Sequence, residues 1–354
     1  MLDPVALLKD LVAIPSPSGS EGEALECLAA ALGAHRLSPR ISGRNLWVEV
    51  GRGRPTLLLN AHIDTVPATP QWTRNPLRPE EVGGRLYGLG SSDDKASVAA
   101  MAAAVVARAA EDGPGTVIFA ATCDEETGGE GLEVLRREIP PADAAVIGEP
   151  TALRVATAQR GLIRIEAVAE GKAAHAARPH QGVNAIYKAL EDVQRIRELH
   201  FTREHPLLGM PTVQVTQIHG GVSRNTVPPS CTYTVDVRTT PHYDNDYFVM
   251  ELRRRIRSQI PVLKARMTPV ETKSDERIVR AALEAAGGDG PVGFGGVSDL
   301  YHVRDLPAVV LGPGDPEQSH RADESVPLDQ VVRAAGIYLE VVRRWCAGVT
   351  ARRI

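Results

Sequence analysis

Apolar residues fall into short continuous runs in the first and last parts of the chain and into strict alternation between them. The run Leu57-Leu58-Leu59 has no polar interruption, as a strand covered on both faces requires. Residues 46–50, 116–122, 143–148 and 307–312 read as further strands. Helical spacing marks residues 3–13. It marks a second helix from Ser20, where Glu23 completes a capping box, Leu25, Leu28, Ala29 and Leu32 form the apolar face, and Gly33 ends the element. Residues 95–110 are nearly all Ala, Val and Met and predict a buried helix. Shorter helices are expected over 130–138 and 276–286, and a last amphipathic one from Pro327. Residues 67–86, with four prolines and a glycine pair, read as surface loop.

From Arg154 to Ala169 the pattern alternates, as in a strand with one wet face. A helix over 182–199, strands at 211–219 and 231–238 and a basic helix over 245–258 follow. This β-α-β-β-α order predicts a small α+β sandwich inserted into an α/β chain whose strands and helices alternate around a mixed, mainly parallel sheet with helices on both faces. The expected parts are residues 1–155, the insert 156–268, and 269–354.

The chain has 354 residues, which points to two domains. A formal net charge of -4, with no basic tract, argues against a nucleic-acid partner. The four cysteines are scattered, without a CxxC pair or a disulfide framework, which suits a reducing cytoplasm. No run of about 20 apolar residues suggests a membrane span, and the start of the chain lacks a signal-peptide pattern.

Chemistry collects where strands end. His62 and Asp64 leave the 56–61 strand two residues apart and so on one side. Asp93 and Asp94 follow a glycine-rich turn and precede the alanine-rich helix. Glu125 and Glu126 follow the 116–122 strand, Glu149 the 143–148 strand, and His320 lies in the loop after 307–312. Taken singly, each group reads as a helix cap, a solvated turn or a structural histidine. Their joint placement at strand ends, where open α/β sheets bind ligands, points to a metal site. The donors suit zinc, cobalt or manganese. Five ligands exceed one zinc shell, and a shared carboxylate can hold two ions about 3.5–4 Å apart in a hydrolytic centre. The expected assignment has Asp93 bridging, one ion on His62 and Glu149, and the other on Glu126 and His320. Asp64 would fix the His62 tautomer, and Glu125 would be the general base.

At these residues the chain resembles the M20-type metallopeptidase family, which includes acetylornithine deacetylase, succinyl-diaminopimelate desuccinylase, carboxypeptidase G-like enzymes and aminoacylases. The matching stretches are AHIDTVP at 61–67, YGLGSSDDK at 87–95, CDEETGG at 123–129, IGEPT at 147–151 and SHRADE at 319–324. The resemblance implies a zinc-peptidase-like catalytic domain with two zinc or cobalt ions, a cis peptide between Asp93 and Asp94, and an inserted lid domain. In the lid, GKAAHAARPHQGVNAI at 171–186 implies that His175 supports the tetrahedral intermediate, in dimeric members across to the partner's site, so a homodimer through the lid is expected. GGVSRNTVP at 220–228 and VDVR at 235–238 imply substrate contacts at Asn225 and Arg238, the latter a clamp on a carboxylate. GFGGVSD at 293–299 implies a pocket loop with Ser298 and Asp299. One departure is Asp94-Lys95-Ala96 where many members carry Met-Lys-Gly. The expected activity is hydrolysis of an N-acyl amino acid, N-acetylornithine first, with a succinyl-diaminopimelate or carrier-linked lysine or ornithine substrate, a di- or aminopeptidase, and a non-catalytic binding protein as alternatives.

Overall fold

A computed structural model describes residues 1–288 and 290–347. Two compact units divide the chain, one made of Met1–Thr157, Thr272–Phe294 and Ser298–Ile354, the other of Ala158–Glu271 with Gly295–Val297.

The larger unit is built on a mixed sheet. Thr56–His62 lies between Gly115–Thr122 and Ala144–Ile147, parallel to both. Ala308–Val310 adds to Ala144–Ile147, again parallel. All four therefore end on the same edge, where His62 closes its strand and the loops that follow the others carry Glu125 and Glu126, Glu149 and His320. Asn45–Arg52 joins Gly115–Thr122 antiparallel and Arg40–Ser42 closes that side. Thr56–His62 and Gly115–Thr122 are buried at every position, which is why their sequence shows no alternation.

Lys95–Ala109 is almost entirely buried. Its small side chains let it approach the sheet closely. At Gly148 an added Cβ would stand 2.6 Å from Ser97 Cβ and 2.8 Å from Asp94 Oδ2, and at Gly312 one would stand 2.5 Å from Ser97 Oγ. The one lysine in this helix, Lys95, is 1% exposed, and its Nζ donates to the carbonyls of Leu11 and Ile14, both at 2.9 Å, at the end of the first helix, Pro4–Val12.

Two local expectations differ. The second helix runs Gly22–Ala34, so Gly33 lies inside it and Ser20 is not its cap. Glu21 occupies the cap position, but its carboxylate accepts from Gly19 N–H and Arg44 instead. The loop over 67–86 holds the short strand Glu80–Val82 and runs into another, Arg85–Tyr87, which pairs with it on one side and with Ser325–Pro327 on the other. Pro327 thus ends a strand, and the last helix starts one residue later, at Leu328–Ala347.

The smaller unit is an antiparallel sheet ordered Thr212–Gly220, Ser230–Thr239, Gly161–Glu170 and Gln259–Met267. The fourth strand corrects the expected β-α-β-β-α order to β-α-β-β-α-β. Pro261 argues against a strand in sequence, yet Gln259–Met267 is an edge strand, where a missing N–H can face away from the ladder. Ile163, Ile165, Ala167 and Ala169 point to one face and pack with Ala185, Ala189, Phe248 and Leu252 of the helices Ala185–Arg197 and Asn245–Arg255. Among the described residues no helix is long and apolar enough to cross a membrane.

Candidate metal centre

Two groups of ligand atoms share one residue. His62, Asp93 and Glu149 offer atoms that all lie within 4.8 Å of one another, and so do Asp93, Glu126 and His320. The structure therefore brings together five residues spread over 258 positions of sequence, counting from 62 to 320, with Asp93 common to both groups. His62 Nε2 is 3.1 Å from Asp93 Oδ1, and His320 Nε2 is 2.8 Å from Glu126 Oε2 and 3.8 Å from Asp93 Oδ2. His62 and Asp93 are buried, whereas His320 is exposed. The Asp93–Asp94 peptide is cis. Asp94 joins neither group.

Asp64 is fully buried and works as a hub. His62 Nδ1 lies 3.0 Å from the Asp64 carbonyl oxygen and 3.5 Å from its Oδ1. The same carboxylate accepts the backbone N–H groups of Glu125 and Glu126, both at 3.3 Å, and the Ser18 hydroxyl at 2.6 Å. One side chain thus orients the first histidine and the turn that bears both glutamates. Burial would raise the Asp64 pKa, but His62, Ser18 and the Glu126 N–H outweigh it and hold it below the ordinary carboxylate range.

The acids crowd one another. Burial first, then Asp93 and Glu125, push Glu149 well above its ordinary value, with His62 opposing. Burial pushes Glu125 the same way against His62, helped by Asp299, Glu126 and Asp93. Burial alone would lower His62, but Asp64 and Asp93 raise it well above the ordinary imidazole value. His320 is raised chiefly by its bond to Glu126. So much negative charge around buried imidazole is what a divalent cation would relieve, and the mixed nitrogen and oxygen donors suit zinc or cobalt. On these observations the residues fit such ions.

Other candidates fall as follows. Ser298 is 2% exposed and its Oγ accepts the N–H of Leu300, capping the turn Asp299–Val303. The Asp299 carboxylate accepts from Asn60 at 2.8 Å and Thr122 at 2.9 Å, behind the strand ends. In the smaller unit, His175 is exposed, bridges to Thr226, and accepts the Ala177 N–H on Nδ1. The Asn225 carbonyl accepts from Ala176 and its Oδ1 from Ser223. Arg238 lies in an interior strand and donates to Asp236 at 2.8 and 3.3 Å.

Sequence reasoning missed Ser18 and Glu324. Glu324 accepts three backbone N–H groups of the loop that ends at Asp93. Ser18 carries no signal of its own, since a serine in a proline-glycine turn is ordinary, and Glu324 ends the SHRADE stretch at 319–324, in which only His320 is given a role. A third cluster, Glu21, Cys123 and Asp124, already has a cation between its two acids, since Arg44 donates to Glu21 at 2.9 Å and to Asp124 at 2.8 Å. Burial and Asp124 push the Cys123 thiol up to about 12.

The model of Peptidase family M20/M25/M40 matches residues 58–344. An acetylornithine deacetylase from Myxococcus xanthus is 33% identical over 84% of this chain and 82% of its own. A succinyl-diaminopimelate desuccinylase from Rhodospirillum centenum is 30% identical over 99% of both. The crystal structure of an M20 family metallo-carboxypeptidase from Sulfolobus solfataricus superposes with a TM-score of 0.81 at 18% identity, covering 98% of this chain and 100% of that one.

Proposed function

The chain belongs to Peptidase family M20/M25/M40, a family of metal-dependent hydrolases, and we propose that it cleaves the amide bond of an N-acyl amino acid, N-acetylornithine first among substrates. The observation that carries this reading is Asp93 common to two ligand groups with Glu125 on the adjoining turn. A binding protein on the same fold would have no need to keep both.

In this reading His62, Asp93 and Glu149 hold one ion, and Asp93, Glu126 and His320 the other. Divalent ions in such a site activate water and polarise a carbonyl oxygen. Asp64 keeps the His62 ring oriented through Nδ1. Glu125 takes a proton from water on its carboxylate and returns it to the leaving amine nitrogen. His175 supports the oxyanion, and Asn225 contacts the substrate. Arg238 clamps the substrate carboxylate in exchange for Asp236, and Ser298 shapes the pocket loop.

We also propose a cytoplasmic homodimer formed through the smaller unit. Tyr187 and Leu190 are 67% and 50% exposed on one helix, beside the edge strand Thr212–Gly220, where Ile218 is 43% exposed. A second copy would cover this apolar face and pair the open strand edge.

The acetylornithine reading is favoured by the Myxococcus relative. A succinyl-diaminopimelate substrate is the second reading, favoured by the full-length match to the Rhodospirillum relative. A kinetic panel of N-acetylornithine, N-succinyl-diaminopimelate, N-acetylcitrulline and simple dipeptides, with zinc or cobalt and with chelator, separates them. Turnover of dipeptides alone would reject acyl-amino-acid hydrolysis, and turnover unaffected by chelator would reject the metal.

A further inference from the structure

We propose that Glu324 is a positioning residue that ties the loop carrying Asp93 to the loop carrying His320, so that both ligands are in place before an ion arrives. This rests on the metal-centre reading above. Glu324 is 1% exposed. Its Oε1 accepts the N–H of Ser92 at 2.7 Å and of Asp93 itself at 2.9 Å, and its Oε2 accepts the N–H of Gly90 at 3.0 Å. Its own carbonyl accepts the Gly88 N–H at 3.0 Å. One residue therefore takes four N–H groups from the stretch 88–93.

That residue stands four positions after His320. His320 and Asp323 in the loop between them have φ of 61° and 55°, the left-handed region that non-glycine residues seldom adopt. Its C-terminal end is pinned on two sides. Asp323 accepts the backbone N–H groups of Thr73 and Arg74, both at 3.0 Å, and the Thr73 hydroxyl at 2.5 Å. Glu324 pins the other side, on the backbone of the ligand Asp93. The exposed His320 thus sits on a strap whose inner anchor is the shared aspartate.

Only a carboxylate serves here, because two oxygens must accept three N–H groups and none of those groups can accept in return. Glutamine in the same rotamer keeps one carbonyl oxygen and turns an NH2 donor against a backbone donor. Aspartate keeps both acceptors but is one methylene shorter, so it recovers part of the bonding.

The test uses the full chain, stripped of metal, with Co2+ alone as the probe. Cobalt affinity is read by competition with a chromophoric chelator, cobalt geometry by visible absorption, and amide exchange at Ser92 and Asp93 in the metal-free chain by NMR. For Glu324→Gln we expect cobalt affinity to fall about 10- to 100-fold, the range for lost partners behind metal ligands. The absorption spectrum should change and exchange at Ser92 and Asp93 should quicken, with Glu324→Asp partly restoring all three. A merely structural glutamate would lower the melting temperature and leave affinity and spectrum as in wild type, and a folded Glu324→Gln chain behaving so overturns the proposal. If Glu324→Gln does not fold, Glu324→Asp is read by the same criteria, and unprotected Ser92 and Asp93 amides in the wild-type chain also overturn it. A wild-type chain that takes up no cobalt rejects the metal centre, and this proposal with it, whereas wild-type uptake with an unaltered variant rejects the proposal alone.

Discussion

The Ser18 hydroxyl donates to Asp64 Oδ2 at 2.6 Å, joining residues 46 apart in sequence. The N-terminal turn thereby closes over the carboxylate that orients both His62 and the Glu125–Glu126 turn. Ser18→Ala removes a bond to a buried charged acceptor, which is worth about 1.5–3 kcal/mol. Denaturant unfolding should show a loss of that size. Activity at saturating substrate should fall as well, because Glu125 loses its fixed place. Unchanged unfolding and kinetics would mean that Asp64 needs no such support.

Glu125 should matter for turnover and not for metal. Glu125→Ala is expected to lower kcat about 10²- to 10⁴-fold, the usual contribution of a general base, while metal content by elemental analysis stays at the wild-type value. Loss of metal together with activity would instead make Glu125 a ligand.

Ligand removal should be graded. Asp93→Ala touches both groups and should empty both positions. His320→Ala touches one, so about one ion per chain should remain, as expected where a carboxylate links two ions. Equal losses from the two variants would contradict a shared Asp93.

Without metal, stability should fall as pH rises. Glu149, Glu125 and His62 all have folded pKa values raised above their ordinary 4.5, 4.5 and 6.5. The folded chain then holds more protons than the unfolded one, so unfolding free energy declines with pH. For the two glutamates the decline starts near pH 4.5, and for His62 near 6.5, each continuing to the raised value. Asp64 works oppositely, losing its contribution as pH falls below 3.8 toward its lowered value. Urea titrations of chelated protein across pH 5–9 should show the decline, Glu149→Gln should flatten it, and added zinc should reverse it.

The apolar face of the smaller unit should govern assembly. Tyr187→Glu with Leu190→Glu should give a monomer by sedimentation where the wild-type chain gives a dimer, since burying two carboxylates in an apolar contact is strongly unfavourable. A wild-type monomer would remove the homodimer from the account.

Much of this was legible in one dimension. The runs at 57–59 and 116–122 announced covered parallel strands, and His62 at the end of one strand, Glu126 in the turn after another and Glu149 just past a third lie toward the same edge of the sheet. The alternation of Gly161–Glu170 likewise declared one wet face. Gln259–Met267 was hidden because Pro261 argues locally against a strand, while its place on an open edge made the proline harmless. The capping box at Ser20 misled because the helix starts at Gly22, and Glu21 at its cap position answers to Arg44, a partner 23 residues away.

What the sequence settled by itself is what short-range chemistry settles: which residues can ligate, which apolar runs are covered strands, and on which side of a strand each group leaves. Tertiary structure alone decided that Asp93 belongs to two groups, that Asp64 rests on Ser18, and that Glu324 receives the backbone of the Asp93 loop from 231 residues away. A buried carboxylate must find donors, and in a folded chain the donors it finds are set by where separate backbone paths cross, which no local pattern records.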